Sequence, residues 1–262
     1  MIVPVKPIGT YYKVDKMGLL VNPAHWTHVP TEWHAPIECI KQAYIQHYQK
    51  DLHSIYLRGS IVRGTFMKGL SDIDVLGLVY IDNIKWEHSP FEAALFEDLK
   101  LTFPFEANFE LMVSSFSSDL NTSYPALAMV LKTQSLCIWG NDVLENIPPF
   151  RADRSLLIHY KWLDKDIAGF LENNNVEESD YQEIMKLMVR CGFELLIEKS
   201  GSYTTDLYPA VQSFGQYYPA YKSAMEKALF YFLNPYENLN QQRELILTLG
   251  KWLILEINSR LR

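Results

Sequence analysis

The chain has 262 residues, 48% of them apolar and 21% charged, a globular balance that excludes disordered, collagen-like and low-complexity readings. Lys plus Arg number 24 against 31 Asp plus Glu, a formal charge of −7, so unspecific nucleic-acid binding is a poor expectation and a cationic partner suits the surface better. No apolar stretch approaches the roughly 18 residues of a membrane span. Met1–Lys16 lacks the apolar block of a secretory signal, so a cytoplasmic protein with no membrane partner is expected. Cys39, Cys137 and Cys191 lie far apart without a CxxC pair and are expected to be reduced thiols, mostly packed in cores.

The length exceeds that of one ordinary domain, and the pattern changes character near residue 120. Residues 1–35, with Pro4, Pro7, Pro23 and Pro30 among scattered aromatics, read as an irregular arm on the surface. Ile37, Ile40 and Tyr44 then recur at helical spacing, which predicts a helix from Pro36 to about Lys50. Ser54–Leu57 is a short β-prone run, and Asp72–Ile81 a stronger one rich in Ile, Val and Leu. A short helix is expected between them. Pro90–Leu99 reads as helix and Asn108–Ser114 as strand. Beyond Ser123 the apolar period is almost wholly helical. Pro125–Trp139, Arg154–Leu171, Asp180–Lys199, Asp206–Tyr217, Ala220–Leu233 and Asn240–Leu261 are expected to form a bundle.

Chemistry concentrates in two stretches. Asp72 and Asp74 stand two apart in a predicted strand, so both carboxylates leave the same face while Ile73 and Val75 point into the core. Two carboxylates so placed repel each other unless a cation neutralises them, and hard oxygen ligands suit Mg²⁺. Gly59-Ser60 ends the preceding strand. Glycine there lets the backbone approach a bulky anion, and Ser60 can cap the next helix or hydrogen-bond a phosphate, with the helix-start N–H groups aimed at the ligand. Arg63 and Lys68 add positive charge nearby, the first as a clamp and the second as a point charge.

Gly59-Ser60, eleven residues and then Asp72-Ile73-Asp74 resemble the signature of the nucleotidyltransferase superfamily typified by DNA polymerase beta. Arg63-Gly64 ahead of Ser71-Asp72 is similar to its bacterial small-substrate branch, the aminoglycoside adenylyltransferases. The resemblance implies an α+β fold. A small mixed sheet of the polymerase-beta type would occupy residues 1–120 and an all-α bundle residues 121–262, with the active site between them. It also implies a third carboxylate in a later strand, which Phe109-Glu110-Leu111 fits, with Glu106 as the lesser alternative. Asp72, Asp74 and Glu110 would then hold Mg²⁺, and Glu110 would be either a ligand or the general base. Gly59, Ser60 and Arg63 would hold the ATP phosphates. In the helical half, Thr204-Thr205-Asp206 is similar to a stretch in which a basic residue reaches the nucleotide; Thr205 stands in that place here, and Lys199 is the candidate substitute.

The implied reaction moves AMP from ATP to a hydroxyl of a small cationic acceptor such as an aminoglycoside-type antibiotic, the basis of antibiotic resistance. The alternatives are a toxin–antitoxin type enzyme acting on protein or tRNA, and a non-catalytic nucleotide-binding regulatory module. Other features have plain structural readings. His25-x-x-His28 has no third ligand at a sensible spacing for zinc. Arg190 and Glu194 read as a helix-internal pair. Glu177, Glu178 and Asp180 read as a solvated helix start.

Overall fold

The computed structural model describes residues 7–84, 89–103, 108–173 and 176–261. They fall into two compact units, one of residues 13–150 and the other of residues 7–12 together with 151–261. The division lies thirty residues beyond the boundary expected at 120/121, because the sheet takes a further strand from the segment read as purely helical.

The first unit runs α1 (His34–Tyr48), β1 (Leu52–Arg58), α2 (Ser60–Arg63), β2 (Ile73–Val79), α3 (Pro90–Thr102), β3 (Phe109–Ser115), α4 (Leu120–Ser123), α5 (Pro125–Gln134) and β4 (Ser135–Gly140). The four strands order as β3-β2-β1-β4. β1 is antiparallel to both β2 and β4, whereas β2 and β3 are parallel and joined through α3, as parallel neighbours require a crossover. The sheet is therefore mixed.

Its core explains the sequence pattern. Ile37, Ile40 and Tyr44 of α1 are fully buried together with Ile55 and Leu57 of β1, Ile73 and Val75 of β2, and Val113 of β3. Ser89 caps α3 in a reciprocal box with Glu92, whose buried carboxylate also accepts the Tyr48 hydroxyl at 2.7 Å. The arm is less peripheral than expected. Val29 and Trp33 are buried in this same core.

Two helical expectations are corrected. Pro125–Trp139 is helical only to Gln134; Ser135-Leu136-Cys137-Ile138-Trp139 then pairs with β1. A short apolar run read by periodicity alone does not separate strand from helix. Arg154–Leu171 is irregular with two 3₁₀ turns before α6 (Leu163–Glu172) begins.

The second unit continues with α7 (Glu178–Glu194), α8 (Ile197–Ser200), α9 (Leu207–Tyr217), α10 (Lys222–Leu233), α11 (Leu239–Leu245), a π-helical turn at Ile246–Gly250 and α12 (Lys251–Arg260). α7 is central: it packs against α9 and α10, and its Ile184, Met185, Met188 and Val189 are buried. Gly192 permits the close approach, since a Cβ there would lie 3.1 Å from the Phe214 ring. Residues 10–12 are bound into this unit. The Thr10 amide donates to Asp206 Oδ2 at 3.0 Å, Thr204 Oγ1 donates to the Thr10 carbonyl at 2.8 Å, and the Tyr12 amide donates to the Tyr203 carbonyl at 2.8 Å.

Candidate active site

The sheet register sets the site. Arg58 of β1 lies opposite Asp74 of β2, and Asp74 opposite Glu110 of β3, so three charged residues form a row across three adjacent strands. Arg58 Nη2 stands 3.0 Å from Asp74 Oδ1 and 3.2 Å from Glu110 Oε1. The side chains of Arg58 and Asp74 are largely buried, while that of Glu110 keeps 37% of its surface open to solvent. Burial pushes the Asp74 carboxyl well above the usual carboxylate range; Arg58 opposes this, and the hydrogen bond to Glu110 and the charges of Glu110 and Asp72 add to it. Asp72 itself lies one residue before β2 begins, and its charge is felt at Asp74.

The row abuts the glycine–serine turn. Gly59 has φ 80° and ψ −153°, a backbone region essentially reserved for glycine. A Cβ at this position would overlap Asp74 Oδ2. The absent side chain is thus what lets β1 end directly against the carboxylate. Ser60 then opens α2, and the Arg63 Nε donates back to the Gly59 carbonyl at 3.2 Å, which braces the turn. Gly64, at φ 76°, ends α2. Lys68 is exposed in the loop that follows.

Of the residues singled out in the sequence, the structure brings Asp74, Glu110, Gly59, Ser60 and Arg63 into one neighbourhood, with Asp72 at its edge. Glu106 lies outside the described residues. Lys199 belongs to the helical unit, exposed on α8 with its ammonium 5.7 Å from the centre of the Tyr218 ring. Thr205 meets the Tyr12 hydroxyl at 3.3 Å, and Thr204 Oγ1 accepts the Asp206 amide at 3.0 Å, so both threonines bind the arm to the start of α9.

Two buried charged or titratable groups, one in each unit, were not singled out in the sequence. Arg58 is the first, and its position immediately before Gly59 at a strand end was the available signal. His159 is the second. It stands between Arg190 and Glu194, its Nδ1 at 2.9 Å from Glu194 Oε1 and its Nε2 at 3.3 Å from Arg190 Nη1. Glu194 also accepts the amides of Ile158, His159 and Tyr160. Arg190, Glu194, His159 and Thr205 border a cavity of about 20 Å³, room for a single water.

Among the described residues, no three His, Cys, Asp or Glu side chains are gathered as a metal cluster. The donor chemistry nonetheless fits a hard divalent cation. Two carboxylate oxygens converge on one positively charged nitrogen, and a third carboxylate adds to the local negative potential.

No family model and no curated protein matches the sequence. Among solved structures, the spectinomycin adenyltransferase AAD(9) from Enterococcus faecialis, determined with ATP and spectinomycin, is similar over 84% of this chain and 98% of that one. The TM-score is 0.53 at 15% identity. The chain shares the fold of that adenyltransferase. The likeness spans the mixed sheet and the helical region alike, in keeping with the α+β architecture and with the adenylyltransferase-like pattern of the sequence. None of the described helices is long and apolar enough to cross a membrane.

Proposed function

We propose that this protein is a Mg²⁺-dependent nucleotidyltransferase that moves AMP from ATP to a hydroxyl of a small, cationic, polyhydroxylated acceptor. The observation that carries the reading is the register-aligned pair Asp74 and Glu110, set against the Gly59-Ser60 turn on a nucleotidyltransferase fold. Asp72 and Asp74 would hold the metal, with Glu110 as a third ligand or as the base. When bound, the metal supplies neutralisation of the triphosphate and of the charge that develops at the α-phosphorus.

The chain's own groups divide the remaining work. Gly59 and Ser60 admit and orient the phosphates, since the turn has no side chain at its apex and a hydroxyl beside it. Arg63 holds that turn and adds positive charge. Glu110 is the more open of the paired carboxylates, which suits it to meet an incoming acceptor. As base it takes the hydroxyl proton while the oxygen forms its bond to the α-phosphorus and the bond to the β-phosphate bridge breaks, releasing pyrophosphate. Lys199 is a candidate for a further contact to the nucleotide. The neighbour AAD(9) was determined with ATP and spectinomycin, which supports ATP as co-substrate and a hydroxylated antibiotic as acceptor. The net charge of −7 favours a cationic one.

The test is to incubate the purified protein with α-labelled ATP, Mg²⁺ and a panel of hydroxylated aminoglycoside-type acceptors including spectinomycin, and to look for adenylylated product. Label released only as AMP, or transferred only to added protein or tRNA, would refute the small-acceptor reading.

A further inference from the structure

The Arg58 guanidinium is placed in an unusual way. Arginine binds a carboxylate best with two parallel N–H bonds to one partner. Here Nη2 bridges two carboxylates, standing 3.0 Å from Asp74 Oδ1 and 3.2 Å from Glu110 Oε1, as a small cation would. The three residues are fixed by strand register and not by loop conformation, and the Arg58 side chain is largely buried. A guanidinium does not lose its proton, so the positive charge is permanent. Removing one partner from a buried ion group leaves the others uncompensated, which is strongly destabilising.

We propose that Arg58 is the resident counter-cation of the acidic row: it holds Asp74 and Glu110 poised and neutralised, and a divalent ion must displace it to engage them. The second half of this statement rests on the metal-dependent reading given above. Arg58 is thereby a positioning residue, acting on the reaction through the two carboxylates. It sets how tightly the free protein binds its metal and keeps the sheet edge stable without one.

Two measurements test it. The first is Mn²⁺ affinity without nucleotide, by electron paramagnetic resonance or calorimetry, in the wild type, Arg58→Met and Arg58→Lys. Methionine keeps much of the apolar stem and removes the charge. Arg58→Met is expected to bind Mn²⁺ on the order of tenfold more tightly, with Arg58→Lys in between, because a repelling charge near the ion is gone. Merely structural damage would move affinity the other way, so unchanged or weaker binding overturns the proposal. The second is a double-mutant cycle with Asp74→Asn, read as melting temperature in chelator. Alone, Asp74→Asn should lower the melting temperature; in the Arg58→Met background it should raise it, since it then removes one of two carboxylates facing each other without the guanidinium between them. Should no variant bind Mn²⁺, the metal requirement fails on its own account and the cycle alone judges the arginine. Reversal of sign sustains the counter-cation, and an equal fall in both backgrounds overturns it.

Discussion

Gly59→Ala is the sharpest test of the site, because its neighbour Gly64 supplies an internal control. Both glycines sit at positive φ, 80° and 76°, at either end of α2. At Gly64 an added Cβ would meet His28 at 3.5 Å, an ordinary contact, so Gly64→Ala carries only the left-handed backbone penalty of about 1 kcal/mol. At Gly59 the backbone lies in a region where a side chain costs about 1–3 kcal/mol, and the Cβ would also overlap Asp74 Oδ2. Asp74 is held by Arg58 and by the sheet, so relief requires the turn or the carboxylate to shift. The backbone penalty alone, at about 2 kcal/mol, implies a melting temperature lowered by roughly 4–8 °C for Gly59→Ala against roughly 2–4 °C for Gly64→Ala. The functional contrast should be far larger. Moving a catalytic carboxylate by even about 1 Å lowers the rate on the order of 100-fold, so Gly59→Ala should lose nearly all nucleotide transfer while Gly64→Ala keeps most of it. Scanning calorimetry and initial rates of labelled AMP transfer measure both quantities. Equal activities in the two variants, at whatever stability, would refute the claim that the bare turn exists to make room for Asp74.

Other consequences concern the charged groups. Asp72→Asn and Asp74→Asn should each abolish transfer by about 100-fold or more while the circular dichroism spectrum stays native, because they remove charge and leave the apolar core intact. Glu110→Gln separates its two roles: ATP affinity by calorimetry should hold if the carboxylate is the base and fall if it is a ligand. In the helical unit, Arg190 can only donate, so His159 Nε2 presents a lone pair to it and the ring carries its proton on Nδ1, toward Glu194. The ring is thus neutral, and burial with Arg190 and Lys186 depresses its pKa below 6.5 despite Glu194. The unfolded chain therefore binds this proton first as pH falls. His159 contributes full stability above about pH 6.5 and loses it toward lower pH, with a slope of at most about 1.4 kcal/mol per pH unit. Denaturant titrations between pH 7.5 and 5 should show that slope in the wild type and a shallower one in His159→Asn.

Much of the sheet unit was legible because its elements each carry a local signal. β2 and β3 are dense apolar runs bounded by polar residues, and α3 begins at Pro90, where its helical pattern opens. Asp72, Asp74 and Gly59-Ser60 were legible for another reason: placing paired carboxylates beside a bare turn makes little physical sense unless something charged binds there. β4 was not legible. Its residues follow α5 without a break, and only the partner strand β1, more than seventy positions earlier, makes them extended. The same limit hid Arg58. In the sequence it is a polar residue closing a strand, and its meaning comes from two registers that bring Asp74 and Glu110 alongside it. His159 is the extreme case, a residue in a 3₁₀ turn whose two partners are spaced one helical turn apart on α7.

These cases share a cause, and it bears on how the site works. A motif is visible in sequence when its residues are neighbours along the chain, yet the acidic row is assembled across strands, with the chain supplying the carboxylates from β2 and β3 and the cation from β1. Cross-strand assembly fixes the spacing of the three groups by the hydrogen-bond ladder, so the carboxylates cannot relax apart as they would on a loop. Repulsion between them must then be met by charge. Arg58 meets part of it, while burial first, and then the charges of Glu110 and Asp72, hold the Asp74 carboxyl above the usual carboxylate range. Carboxylates held by the strand ladder are what the proposed metal-dependent transfer would call for before its substrate arrives, since they need not be gathered at the moment of reaction.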